Sequence, residues 1–153
     1  MPDQDLVLYG KWIDGKQSYQ VLHYLTQLDG SRRLYLAESL YGEPGDVITP
    51  ETKAPEGYED VEPITHTLVQ GSVENNRIIY VYPRKQYQIR YVLNGGICEQ
   101  STEQMITYGT PLKDILDALP VYRNGYSFAD WYTDEALQAV YRPDTMPASD
   151  LIL

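Results

Sequence analysis

A single cysteine, Cys98, stands in 153 residues, which rules out an internal disulfide and any cysteine-cluster metal site. Phenylalanine is nearly absent too, with one Phe and two Trp against fifteen Tyr. Tyrosine suits strands and half-exposed sheet faces, so the skew points to β-rich structure working in water. No apolar run nears the roughly 20 residues that cross a bilayer as a helix, so no membrane insertion is expected. The opening MPDQDLVLYG carries no basic stretch of a signal peptide. Any export signal is expected in a longer parent chain. Basic side chains are scarce, 12 against 22 acidic, for a formal net charge of −10. Such a surface repels phosphate backbones, and no nucleic-acid partner is expected.

What the sequence does have is repetition. Tyr19-Gln20-Val21-Leu22-His23-Tyr24-Leu25 resembles Tyr87-Gln88-Ile89-Arg90-Tyr91-Val92-Leu93, 68 residues on. Tyr41-Gly42 recurs as Tyr108-Gly109, and Gly57-Tyr58 as Gly125-Tyr126, at nearly the same offset. Asp5-Leu6-Val7-Leu8 and Asp150-Leu151-Ile152-Leu153 are almost one phrase. Ile79-Tyr80-Val81-Tyr82 closes a first module as Leu6-Val7-Leu8-Tyr9 would close one upstream. The expected organisation is therefore a tail strand (1–15), a first module (16–84) and a second module (85–153), a slice of a longer tandem array.

Local patterns fit small sheets. Ser18 to Gln27 alternates as a strand, Leu28-Asp29-Gly30-Ser31 is a turn, and Arg33 to Tyr41 is its hairpin partner. Gly42-Glu43-Pro44-Gly45 breaks the run. Strands near Thr65–Val69 and Ile78–Tyr82 complete the first sheet. The second module repeats the plan through Gln86–Leu93, the turn Asn94-Gly95-Gly96 and Glu103–Tyr108. Thr110 can then cap a helix with Pro111 in its first turn. Leu112, Ile115, Leu116 and Leu119 share one face of that helix, and Pro120 ends it. The fold class expected is α+β and β-rich: two tandem β-grasp-like modules, each a four- to five-stranded sheet with at most one short helix.

The stretches YQIRYVLNGG, ITYGTPL, YRNGYSFADWYTDEAL and SDLIL, about residues 86–153, resemble the Listeria–Bacteroides (internalin B-type) repeat. Gly125, Tyr126, Phe128, Trp131 and Tyr132 carry its Gly-Tyr-x-Phe-x-x-Trp-Tyr core. Asp130 stands where the family more often has Gly. YQVLHYL, EGYED and IIYVYPR, within about residues 16–84, resemble the mucin-binding (MucBP) repeats. Both resemblances imply non-enzymatic modules in tandem, without cofactors, in extracellular, often wall-attached proteins of Gram-positive bacteria. The partners they imply are adjacent repeats of the same chain and, for an adhesive role, host glycoprotein or glycan.

Little else reads as chemistry. His23 and His66 lie in strands without a visible nucleophile, and ordinary strand positions outweigh catalysis by about nine to one. The acidic groups Glu56/Glu59/Asp60/Glu62 and Asp130/Asp134/Glu135 lack the ligand spacing of a calcium loop and read as solvated. Lys16 or Lys85 with Asn75 or Asn76 could form an isopeptide bond only if buried beside a carboxylate. Trp131 and Tyr132 could stack a sugar, although the family pattern favours Phe128 and Trp131 as core. Tyr24, Tyr35, Tyr80 and Tyr122 are candidates for an exposed binding face. The leading expectation is a stalk that presents a distal domain; the alternative is adhesion. Residues 5–12, a strand without its own module, are expected to pair with a neighbouring copy.

Overall fold

The computed structural model describes residues 5–12, 15–140 and 144–153. Alternating apolar residues make β1 (Gln17–Thr26), which turns Val21, His23 and Leu25 inward. Asp29 tightens the following turn by accepting from both the backbone N–H and the hydroxyl of Ser31. β2 (Arg32–Gly42) returns antiparallel to β1, with a bulge opposite His23 and Tyr24. The short strands β3 (Val47–Ile48) and β4 (His66–Thr67) pair with each other. After a 3-10 turn at Val73–Asn76, β5 (Arg77–Tyr82) runs parallel to β1 on its other side. Ile78, Tyr80 and Tyr82 of β5 share the inward face with Val21, His23 and Leu25.

The second half is built alike. β6 (Gln86–Arg90) is central. β7 (Ile97–Cys98) pairs instead with β9 (Val121–Tyr122), and β8 (Glu103–Thr107) is the antiparallel partner of β6. β10 (Leu151–Ile152) lies parallel to β6 on the far side. The two three-stranded sheets therefore share one order, β2-β1-β5 and β8-β6-β10, each with its first strand in the middle. Residues 5–12 form no strand. The expected tail strand also reaches residues 1–4 and 13–14, which lie outside the described residues.

Two expectations need correction. The four- to five-stranded sheets are each split into a three-stranded and a two-stranded sheet. The helix shrinks to five residues, α1 (Lys113–Asp117), without a side-chain cap. Thr110 and Leu112 are already engaged in backbone pairing: the Met146 N–H donates to Thr110 O, and the Leu112 N–H to Asp144 O. That ladder, with Pro111 opposite Thr145, holds the segment extended where a cap would sit. The apolar spacing still does its work, since Leu112 and Leu119 are buried and Ile115 and Leu116 pack against them.

Each half has its own apolar cluster. One gathers Val21, Leu25, Tyr58, Ile78, Tyr80 and Tyr82; the other centres on Ile89, Ile106, Leu112, Trp131 and Met146. The first cluster contains a polar line. The Tyr82 hydroxyl accepts from the Lys53 N–H (2.7 Å) and stands 2.7 Å from His23 Nδ1. With that hydroxyl donating to Nδ1, Nε2–H donates to Glu38 at 3.0 Å. Lys53 closes the line on the same carboxylate. Its ammonium, hydrogen-bonded there, holds the Glu38 carboxyl below the usual range; His23 adds to this, and partial burial opposes it. In the second cluster the Tyr91 hydroxyl is buried with no partner among the described residues.

Burial raises the phenol pKa of both Tyr82 and Tyr91. Their contribution to stability is full below pH about 10, the ordinary phenol value, and is lost as pH rises beyond it. Urea unfolding monitored between neutral pH and pH 11 should show that decline. Tyr82→Phe should cost about 1–3 kcal/mol, because it strands His23 Nδ1 and the Lys53 N–H. Tyr91→Phe, which abandons no bond, should be neutral or stabilise by about 1 kcal/mol.

Candidate functional site

The two halves meet at Tyr82-Pro83-Arg84-Lys85-Gln86. Pro83 fixes its own φ and restrains Tyr82. Its carbonyl accepts from the Glu59 N–H (2.9 Å), while the Lys85 N–H donates to Gly57 O (2.9 Å) and the Tyr108 N–H to Lys85 O (2.8 Å). Arg84 reaches both sides. Its Nε donates to Thr26 O at 2.9 Å and its Nη1 to Tyr108 O at 2.8 Å. The guanidinium also lies 5.4 Å from the Tyr58 ring centre and 5.8 Å from that of Tyr108. Those two rings meet edge to face at 5.8 Å. Tyr108, from the second half, packs on the first half's cluster.

Gly57 and Gly109 make the approach possible. A Cβ on Gly57 would stand 2.4 Å from the Tyr108 ring, and one on Gly109 would stand 2.5 Å from Arg84 Nη1. Gly57 also has φ +82°, a left-handed value. The repeated pairs Gly57-Tyr58 and Tyr108-Gly109 thus face each other across the join. Neither their proximity nor the place of Arg84 between them was legible beforehand.

A second feature lies at β6, β9, β10 and the segment after Arg123: an open apolar cleft of about 440 Å³. Tyr122, Tyr126, Phe128, Trp131, Leu137 and Leu153 contribute to its walls, with Asp130, Asp134 and Glu135 among the polar lining. Trp131 is buried against Tyr91, ring centres 5.2 Å apart, as expected of a core residue. Phe128 corrects its expectation. It rests on Trp131 at 5.1 Å but is 54 % exposed, because its other side faces the cleft. Tyr126 is exposed under the Arg123 guanidinium at 4.2 Å. Gly125 turns the chain before it at φ +79°, and Tyr132 is half-buried opposite Val140.

Of the tyrosines expected to be exposed, Tyr35 and Tyr122 are, and Tyr24 is half-covered beneath Arg32. Tyr80 is 1 % exposed, because its ring packs in the first half's cluster, 5.4 Å from the His23 ring, and its hydroxyl donates to Pro50 O. His23 is 0 % exposed and joined to Glu38 and Tyr82, a line that sequence spacing did not reveal. Two of the isopeptide candidates have other partners. Lys16 pairs with Glu43, while the Asn76 amide is engaged with Val69 through both its oxygen and its nitrogen. Among the described residues no three His, Cys, Asp or Glu groups converge as metal ligands, and no helix is long and apolar enough to cross a membrane.

Gly57→Ala should lower the unfolding free energy by about 2 kcal/mol or more, measured in urea, because it combines a strained φ with the Tyr108 clash. Gly30→Ala is the control: the φ is also positive there, but a Cβ meets open space.

No curated protein and no solved structure matches the chain. The family whose model does match, over residues 87–153, is the Listeria-Bacteroides repeat domain, and the matched stretch contains the residues that line the cleft.

Proposed function

We propose that this chain is a non-enzymatic stretch of a bacterial cell-surface protein, in which two tandem β-grasp-like modules (16–84 and 85–153) form a stalk that presents a distal domain. The Listeria-Bacteroides repeat at residues 87–153 supports the surface setting. The MucBP-like character of residues 16–84 and an extracellular location belong to the same reading. The observation that carries it is the join. Arg84 bonds backbone carbonyls of both halves and fills the space between Tyr58 and Tyr108, so bending there must break several contacts at once. A spacer needs such a joint, because a freely hinged one transmits neither reach nor orientation. The complete burial of His23 also favours a structural over a catalytic role.

A second reading, adhesion to host glycoprotein or mucin glycan, draws on the exposed rings of the cleft. It requires saturable binding on a glycan array that Tyr126→Ala removes; attraction that merely weakens with salt would count against it.

Small-angle scattering tests the stalk. The native chain should give a single elongated particle, and Arg84→Ala should broaden its distance distribution. Arg84→Lys should not restore the native profile, since an ammonium lacks the planar fork that reaches two carbonyls. A native profile as broad as that of Arg84→Ala would sink the reading.

A further inference from the structure

Among the described residues β2 is the longest strand, eleven residues, and it is a sheet edge. It pairs with β1 on one side. Among the described residues no strand lies along the other side, and no backbone group outside β1 bonds residues 32–41. Such a free row of N–H and C=O groups is a template for another strand. Natural edges are often blunted by lysine, proline or very short length. None of these applies to Arg32–Gly42, where Leu34, Tyr35, Leu40 and Tyr41 are 39–58 % exposed. β8, the corresponding edge of the second half, has five residues, and Met105 is its exposed large apolar side chain.

The pairing with β1 fixes which face each β2 side chain takes. Leu36, Glu38 and Leu40 stand beside His23, Val21 and Tyr19 on the core face. Ala37, Ser39 and Tyr41 take the opposite face. Tyr35 is the extra residue of the bulge, so the alternation inverts there and Leu34 and Arg32 join Tyr41 on that opposite face.

We infer that two copies of this chain associate through β2, antiparallel, about a twofold axis at Glu38, forming one continuous sheet of six strands. About that axis Leu36 meets Leu40 on the core face. Beyond the bulge Leu34 meets Tyr41, and Arg32 stands across from Glu43. Every pair keeps to one face, because each copy's bulge falls at the equivalent place. Moving the axis to Ala37 would set Glu38 against Leu36 and Arg33 against Leu40. Moving it to Ser39 would set Glu38 against Leu40 and Glu43 against Leu34. Only the register at Glu38 matches apolar with apolar and cation with anion. Glu38 does meet its own counterpart, but Lys53 and His23 of its own chain already hold each carboxylate. One strand edge is a small contact, so association is weak, with a dissociation constant on the order of 100 µM.

The test is sedimentation of the full chain from about 10 µM to about 1 mM, a range suited to so small a contact. The average mass should rise from 17.6 kDa toward twice that value and stop, since a twofold contact closes on itself. Tyr41→Lys and Leu34→Lys, both at exposed positions, should each weaken association about tenfold or more. Arg32→Glu should weaken it about fivefold, and adding Glu43→Arg should restore it. A mass that stays monomeric throughout, or grows beyond the dimer, overturns the proposal. So does association that ignores the lysine substitutions or Arg32→Glu, or a loss that Glu43→Arg fails to restore. The inference does not rest on the stalk reading. These variants leave Thr26, Tyr58 and Tyr108, the partners of Arg84, in place, and scattering from dilute monomer reads the join alone.

Discussion

Arg84 occupies a gap that three chain segments leave open: the end of β1, the Gly57–Glu59 stretch and the Tyr108-Gly109 turn. Its guanidinium is planar and offers several donors in fixed directions, so it can bond Thr26 O and Tyr108 O together while lying near two aromatic rings. Neither carbonyl belongs to a neighbour in sequence. The relative placement of the two sheets therefore depends on one side chain that touches both. The glycines on either side make it possible, because any Cβ would push Tyr108 or Arg84 out of place.

The first sheet adds a second constraint of the same kind. Burying His23 among tyrosines would be costly if either ring nitrogen lacked a partner. Tyr82 and Glu38 supply both, and Lys53 binds each of these in turn, through its backbone and its ammonium. The polar line ties β1 to β2, β5 and the crossing segment around Lys53. Among the described residues the second sheet has no such line. Its core is apolar and aromatic, with the Tyr91 hydroxyl left unmatched and Trp131 under a half-open cleft.

Sheet order and open surface bear on each other. Both halves place a parallel strand at the edge beside the central one, six residues long in β5 and two in β10, so the second edge is held by fewer bonds.

The sequence by itself determined the β-rich character, the internal repetition, the positions of β1, β2, β5, β6 and β8, and the likeness of residues 87–153 to the Listeria-Bacteroides repeat. These are local matters: alternation, turn residues and motif spacing are written along the chain. Tertiary structure decided the rest. Thr110 lost its cap because residues 144–146, distant in sequence, took its backbone bonds. Tyr58 is buried and Tyr126 exposed although both follow a glycine in the same repeated pair, since what covers a ring is supplied by another segment. Phe128 lies at the cleft for the same reason. Arg84 reads as one more polar residue in a linker until the fold brings Tyr58 and Tyr108 to it. Burial and contact are properties of neighbours in space, and spacing along a chain does not specify them.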